Sequence, residues 1–431
     1  MRDVVTPELG ILADDLTGAT DTGLQFAKSG RRTCVCLTWP SAPACDVLVV
    51  DTDSRNRSAA EAKQRVTSAT TSLLALGVER LYKKVDSTGR GNLGAEIVAV
   101  LDAAAARTAV VAPAFPQLGR TVRDGRMYVR EHPLDQTEFA LDPLWPATTS
   151  SIEAILRRQS DGPVAFIELA ELRRGPDCTL QRLSDAFRRG ARFVVVDSET
   201  NPDLRVLAEA LRVLPEPHLA VGSAGLAEAL VETLERPART ARALSVGSGP
   251  ILVVAGTMNR VGVGQVARLV ERGAGAAVLD LELALAQPDR AAAALGGELA
   301  RNLDEKETVV LALADPRGAP IDLAPAMDRS HLDPLTATER LMGALALASS
   351  RAIEQVPPAA LILTGGDTAR AVCASLGIHA LEIIREAAPG VPICRLQGGP
   401  WDGLIVATKA GGFGDVATLA TVVDTFRRMR G

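Results

Sequence analysis

Apolar residues fall in short runs that end on a charged residue or a glycine, and stretches with apolar positions three and four apart separate them. Such runs predict buried strands, and the stretches between them predict amphipathic helices. In the first half the strands are predicted at 9–13, 33–37, 47–51, 80–85, 109–112 and 193–197, with helices over 59–76, 94–106 and 204–214. This alternation predicts βαβ units. Residues 113–146, rich in Pro, Gly and Arg, predict loops with a hairpin, either as a cover over a site or as plain connection. A second series starts after Arg-Pro-Ala-Arg and Gly-Ser-Gly-Pro, with strands predicted at 251–255, 277–281, 308–312, 360–364, 393–396 and 404–407 and the clearest helix at 336–356. The expected fold class is therefore α/β, with two domains, each a mainly parallel sheet flanked by helices. The expected boundaries are 1–236, a linker at 237–249, and 250–431.

The first predicted strand stops at two adjacent carboxylates, Asp14 and Asp15, before Gly18. In open α/β sheets the C-terminal strand edge is where ligands bind. Thr17 is a candidate cap for the following helix, and two acids exceed what one cap requires. Asp51-Thr-Asp-Ser-Arg places Arg55 after another strand. Lys84, Val85, Asp86 and Ser87 open a third strand-end loop that continues Thr-Gly-Arg-Gly-Asn. Its cations suit a carboxylate, and its Asp, Ser, Thr and Asn suit hydroxyl groups, as in a small polyhydroxy acid. With six lysines against 41 arginines, Lys83 and Lys84 in this motif and Lys409 in another are more telling than lysines on an ordinary surface.

In the second half, Gly365, Gly366, Asp367 and Thr368 follow a strand and precede a helix, which leaves backbone N–H groups free for phosphate oxygens. Gly256-Thr257 and the loop containing Gly411 and Gly412 repeat the arrangement. Each loop alone is also an ordinary tight turn, but their recurrence points to a nucleotide. Neither GxxxxGK[ST] nor a helix-opening GxGxxG occurs.

Composition narrows the function further. The net charge of -5 and pI near 5.6, with no basic cluster interleaved with aromatics, argue against nucleic acid and membrane partners and for a small-molecule ligand. No apolar run has the length of a spanning helix, and the first residues lack a signal-peptide plan, so a cytoplasmic protein is expected. The six cysteines form no CxxC, and the four histidines lie far apart, which removes support for zinc sites and for Ser-His-Asp or Cys-His chemistry.

These motifs resemble the four-carbon acid sugar kinase family, long catalogued as a domain of unknown function. The likeness rests on Ala13-Asp-Asp-Leu-Thr-Gly-Ala, Thr52-Asp-Ser-Arg, Lys84-Val-Asp-Ser-Thr with Arg90-Gly-Asn, Ala112-Pro-Ala-Phe-Pro-Gln-Leu-Gly-Arg-Thr, Val221-Gly-Ser-Ala-Gly-Leu-Ala and Thr364-Gly-Gly-Asp-Thr, in that order over nearly the whole chain. The resemblance implies an N-terminal domain that binds the sugar acid, a C-terminal domain that binds ATP, and an active site in the cleft between domains. The implied reaction, with ATP and Mg2+, phosphorylates the terminal C4 hydroxyl of threonate, erythronate or a 3-oxo-tetronate. By motif, Asp14, Asp15, Arg55 and Lys84 to Ser87 would hold the substrate; Thr257, Gly365 to Thr368, Gly411 and Gly412 would hold the nucleotide. Asp15 is the expected proton acceptor, with Asp86 and Asp415 as alternatives. The chain departs from the family pattern at Gly89, where Leu is common, at Thr257, where Ser is usual, and at Ala410 to Gly412, where Ser-Gly-Asn is expected; Gly89 bears on the substrate pocket. Metal ligands and homodimerisation are left open. Two other classes stay open: a non-catalytic sensor of a sugar acid or nucleotide, and a nicotinamide-dependent dehydrogenase, which lacks its glycine fingerprint.

Overall fold

A computed structural model of the chain describes residues 6–38, 43–142, 144–235, 244–313, 315 and 323–430. The chain divides into two compact units, Met1–Val35 with Ala42–Arg239, and Cys36–Ser41 with Thr240–Gly431. Residues 236–243, which take in the expected domain boundary and much of the linker, lie outside the described residues.

The strands of the first unit are β1 (Leu9–Ala13), β2 (Thr33–Cys36), β3 (Val47–Asp51), β4 (Leu81–Lys84), β5 (Thr108–Ala112), β6 (Arg120–Arg123), β7 (Arg126–Val129), β8 (His132–Pro133), β9 (Val164–Ile167), β10 (Phe193–Val196) and β11 (His218–Gly222). The main sheet runs β2-β3-β1-β4-β11-β5-β10-β9, and from β3 to β9 each neighbouring pair is parallel. The central strands are buried and, apart from Lys83 and Lys84 of β4, apolar nearly throughout, as expected of parallel strands covered on both faces. Parallel pairing brings strand C-termini to one edge: Ala13 lies opposite Asp51, and Lys84 and Ala112 flank Gly222. The short strand β11, unexpected from its sequence, thus sits between β4 and β5. Tyr82 locks it there, its buried hydroxyl donating to Ser223 O at 2.6 Å.

The segment 113–146 holds the hairpin that its composition predicts. Strands β6 and β7 pair antiparallel, and β8 adds to β7. At the turn, the left-handed Asp124 and Gly125 donate their N–H groups to the Asp197 carboxylate, both at 2.9 Å. Three helices continue the chain from the loops after β1, β3 and β4: α1 (Leu16–Lys28), α2 (Ala59–Ala75) and α3 (Leu93–Ala103). Asp15, rather than Thr17, caps α1, accepting the Gly18 N–H at 2.9 Å. The extended backbone of Asp15 aims its carboxylate back at the first turn, while Thr17 is already helical.

The second unit contains β12 (Ile251–Ala255), β13 (Gly275–Val278), β14 (Thr308–Ala312), β15 (Ala360–Thr364), β16 (Ala380–Ala388), β17 (Val391–Gln397) and β18 (Ile405–Lys409). Its order is β13-β14-β12-β15-β18-β17-β16, parallel from β13 to β18 and antiparallel at β18-β17-β16. Strand β13 ends earlier than expected, because Asp280 caps a helix that begins at Leu281. One face of the sheet packs on the helices Arg260–Glu271 and Thr418–Arg428 around Val253, Ile362, Leu419 and Phe426, all fully buried. Among the described residues no helix is long and apolar enough to cross a membrane.

Candidate functional site

In the first unit, the loops after β1, β3 and β4 converge on one guanidinium. Arg55 donates Nε and Nη2 to Asp14 at 2.7 and 3.0 Å, and Nη1 and Nη2 to Asp15 at 2.8 and 2.7 Å. Burial opposes the charge on Arg55, but Asp14 and Asp15 outweigh it and raise its pKa well above the usual arginine value. Burial likewise opposes ionisation of Asp14, and Arg55 overrides it, so the carboxyl sits below its usual range. Asp15 is the more accessible of the two acids, with 18% of its side chain exposed against 4% for Asp14.

Lys84 is buried, and among the described residues it forms no ion pair. Its Nζ lies 2.5 Å from where a Cβ on Gly18 would stand, with Asp15 Oδ1 2.6 Å from the same point. The absent side chain at Gly18 is what lets the lysine head reach the start of α1. Asp86 accepts from Arg90 Nε at 2.7 Å and from the Thr88 hydroxyl. Burial raises its pKa, but Arg90 and Arg55 prevail and hold it well below the carboxylate range, which makes it a weak base. Ser87 accepts from Arg120 Nη1 at 2.8 Å.

A fully buried network lies beneath this edge. Lys83 Nζ contacts Glu96 on α3 at 2.8 Å and donates to the backbone oxygens of Lys84 and Leu12. Ser54 donates to Glu96 at 2.8 Å, and Asn92 donates to Ser54 O and Arg57 O at 3.1 and 2.9 Å. Burial keeps the Glu96 carboxyl above its usual range despite Lys83. These bonds fix the loops that carry Arg55 and Asp86. Gly89 adopts a left-handed φ of 68°, and a Cβ there would meet Ile155 and Met127 at 3.1 and 3.3 Å. Its open side therefore faces apolar packing, so a side chain at 89 would act through the loop and not by direct contact with a polar ligand.

In the second unit, Ala255, Thr364 and Lys409 stand side by side at the ends of β12, β15 and β18. The three glycine loops that follow them are adjacent. A Cβ on Gly411 would lie 2.7 Å from Thr257 Oγ1, and one on Gly256 would lie 2.1 Å from Thr368 Oγ1, so both glycines are set by close packing. Gly365, with φ 106°, caps the helix Gly366–Ser375 and donates its N–H to Lys409 O at 2.8 Å. The predicted residues Thr257, Gly365, Gly366, Asp367, Thr368, Gly411 and Gly412 thus cluster at one edge, with a helix N-terminus directed at it. Asp415 instead makes local bonds, accepting from Thr418 Oγ1 and Ala417 N, both at 3.0 Å.

The sequence marks Lys409 as telling for its place in a glycine motif but assigns it no contact. Its side chain is buried, and its Nζ donates to the backbone oxygens of Ala410, Gly411 and Phe413 at 2.6, 3.1 and 3.2 Å. No carboxylate pairs with it among the described residues, and burial pulls its pKa down to about 8. Arg120 belongs to a family motif without a role that the sequence assigns, whereas Arg90 is one of the loop cations expected to suit a carboxylate. The position of Arg120 beside Ser87 depends on how 113–146 folds back, which local sequence does not encode, whereas Arg90 meets Asp86 four residues away in the same loop. Among the described residues no group of three or more His, Cys, Asp or Glu side chains forms a metal site.

Comparison with known proteins gives a consistent picture. Residues 9–230 match the family model of a sugar-binding N-terminal domain, and residues 252–419 that of a nucleotide-binding C-terminal domain. The D-threonate kinase of Salmonella typhimurium is 37% identical over 97% of this chain and 98% of its own length. The D-erythronate kinase of Heliobacterium modesticaldum is 31% identical over 96% of both chains. Among solved structures, one from Salmonella typhimurium LT2, carrying the provisional description of a tRNA synthase, superposes with a TM-score of 0.81 at 26% identity, covering 98% of this chain and 99% of the other.

Proposed function

Because the chain belongs to the four-carbon acid sugar kinase family, we propose that it moves the γ-phosphate of ATP to the C4 hydroxyl of a four-carbon sugar acid. The observation that carries this reading is similarity along nearly the whole chain to enzymes named for D-threonate, D-erythronate and 3-oxo-tetronate. The geometry supports it with two different strand-edge sites, one of alternating acids and cations, the other of packed glycine loops. D-threonate heads the substrate candidates, since the D-threonate kinases of Salmonella typhimurium and Bordetella bronchiseptica are 37% and 36% identical to this chain.

In this reading residues 1–236 hold the acid and residues 250–431 the nucleotide. Backbone N–H groups around Gly365 to Thr368 and Gly411 to Gly412 receive the phosphates, with Thr257 adding a hydroxyl. Transfer of a phosphoryl group is mostly positioning and charge compensation, and direct transfer requires the two ligands to meet. Asp15 takes the proton of the accepting hydroxyl. Of the three acids at this edge it is the most accessible, with 18% of its side chain exposed against 4% for Asp14 and 8% for Asp86, and Asp415 belongs to the other unit. Arg55 fixes the Asp15 carboxylate in place, and Lys84 stands beside it to offset charge.

Magnesium bound with ATP takes most of its ligands from phosphates and water and needs one or two carboxylates. The residues fit that demand, because Asp367 and Asp415 belong to the glycine loops while no all-protein cage is required. The ion would neutralise charge on the phosphates. The six unbridged cysteines suit a reducing compartment, and we place the protein in the cytoplasm.

The test is a panel of four-carbon aldonates and oxo-acids with Mg-ATP, read by ADP release and by the position of phosphate in the product. ADP release with none of them, or phosphate on an oxygen other than that of C4, would refute the reading.

A further inference from the structure

Three arginines stand at the edge of the first unit, and their charges are not equally matched. Arg55 faces Asp14 and Asp15, and Arg90 faces Asp86 with Asp142 behind it at 3.6 Å. Arg120, at the start of β6, has no carboxylate within ion-pair distance among the described residues. Its Nη1 donates to Ser87, and its Nε is buried without a hydrogen-bond partner. Phe139 holds both neighbours by their faces, with the Arg120 guanidinium 5.2 Å and the Arg90 guanidinium 5.6 Å from the ring centroid.

A guanidinium withdrawn from water, with donors left over and a like charge near it, is costly unless an anion completes it. Burial and Arg90 work against Arg120, and the more distant Asp86 and Glu138 do not make up the difference, so its pKa is lowered where those of Arg55 and Arg90 are raised. The fork of an arginine matches a carboxylate with two parallel bonds, which the point charge of a lysine does not. Lys84 is the other cation of this edge without an ion pair, but it sits with Asp15, at the end proposed for the reacting hydroxyl.

We propose that Arg120, beside Ser87, is the anchor for the substrate carboxylate, and that this contact selects acid sugars over neutral polyols of the same length. The proposal rests on the sugar-acid reading above and adds which cation reads the acid group. It also gives the hairpin segment 113–146 a role, since Arg120 and the Phe139 that steadies it both come from that segment.

The experiment measures binding of D-threonate and of threitol, the corresponding neutral polyol, to the full chain by calorimetry, with ADP as a control ligand. The wild type is expected to favour the acid by about a hundredfold, the scale of a charge-assisted pair. Arg120→Met should lose most of that preference by weakening the acid alone, Arg120→Lys should keep part of it, and ADP affinity should stay unchanged in both. Equal loss for acid and polyol, or an unchanged preference, overturns the proposal, as does collapse of the preference in Lys84→Met but not in Arg120→Met. Should the wild type bind no four-carbon sugar acid, the substrate reading fails, and malate and glycerate then read the anchor by the same variants. If Arg120→Met weakens their binding the anchor stands; if they bind unaffected, or not at all, the anchor fails too.

Discussion

Replacing Lys409 by Met should loosen the nucleotide loop, and raising the pH should begin the same loss in the wild type. The lysine head lies among three carbonyls of the loop 410–413 with no acid to balance it among the described residues. Its pKa falls from 10.5 to about 8, which corresponds to about 3 kcal/mol of desolvation carried by the charged form. Three backbone carbonyls accept from the ammonium and make up only part of that cost, since the shift stays downward. In the proposed reading, holding these carbonyls on the ammonium sets the loop in the shape that receives phosphate. Loss of even one bond's worth of order would weaken nucleotide binding about tenfold. The pH dependence has a definite sign. Below about 8 the folded protein keeps the charge, and above it the folded lysine is neutral while the unfolded one stays protonated up to about 10.5. The desolvation cost is thus relieved as pH rises through this window, so the group's effect on global stability improves while its hold on the loop weakens. The nearest carboxylate along the chain, Asp415, is bound to Thr418. Calorimetric titration of ADP between about pH 7 and 9.5 should show affinity falling from about pH 8 in the wild type. Lys409→Arg should flatten that fall, and Lys409→Met should be weak throughout. A wild-type profile flat across this range, or wild-type affinity in Lys409→Met, would refute the reasoning.

Asp15→Asn keeps an acceptor for the cap of α1 but removes the base, so turnover should drop by about a hundredfold or more while ADP affinity is unchanged; wild-type turnover would take Asp15 out of that role. Lys83→Met strands Glu96 in the interior and should cost about 3 to 5 kcal/mol in urea unfolding, with most of it regained in Lys83→Met/Glu96→Leu. If the double variant is no better than the single one, the loss comes from something other than the unpaired charge. Gly365→Ala forces a side chain onto a backbone at φ 106° and should raise the KM for ATP without touching sugar-acid affinity; an unchanged KM would mean that this loop does not hold the nucleotide.

Residues at strand ends were legible because a strand end is a local event, an apolar run meeting a charge or a glycine. Leu9–Ala13 announced Asp14 and Asp15, and Ala360–Thr364 announced Gly365. That contrast did not make every strand legible. Strand β9 lies at a sheet edge with Phe166 exposed, strand β16 carries Glu382, Arg385 and Glu386, and β11 has only Leu-Ala-Val between His218 and Gly222, after Pro215 and Pro217. Charge balance was hidden for a different reason. The sequence shows Arg55, Arg90 and Arg120 as equals; Arg90 finds Asp86 within its own loop, but only the fold brings two acids to Arg55, Asp142 to Arg90 and a serine to Arg120. Lys409 is the mirror case, a lysine whose partners are carbonyls of its own loop and so leave no complementary residue to find. Sequence alone can therefore say where a ligand edge lies, but which of its charges are already spent is a property of contacts between segments far apart in the chain. A ligand is recognised by the unspent ones, so the specificity of this site resides in the part of the information that folding adds.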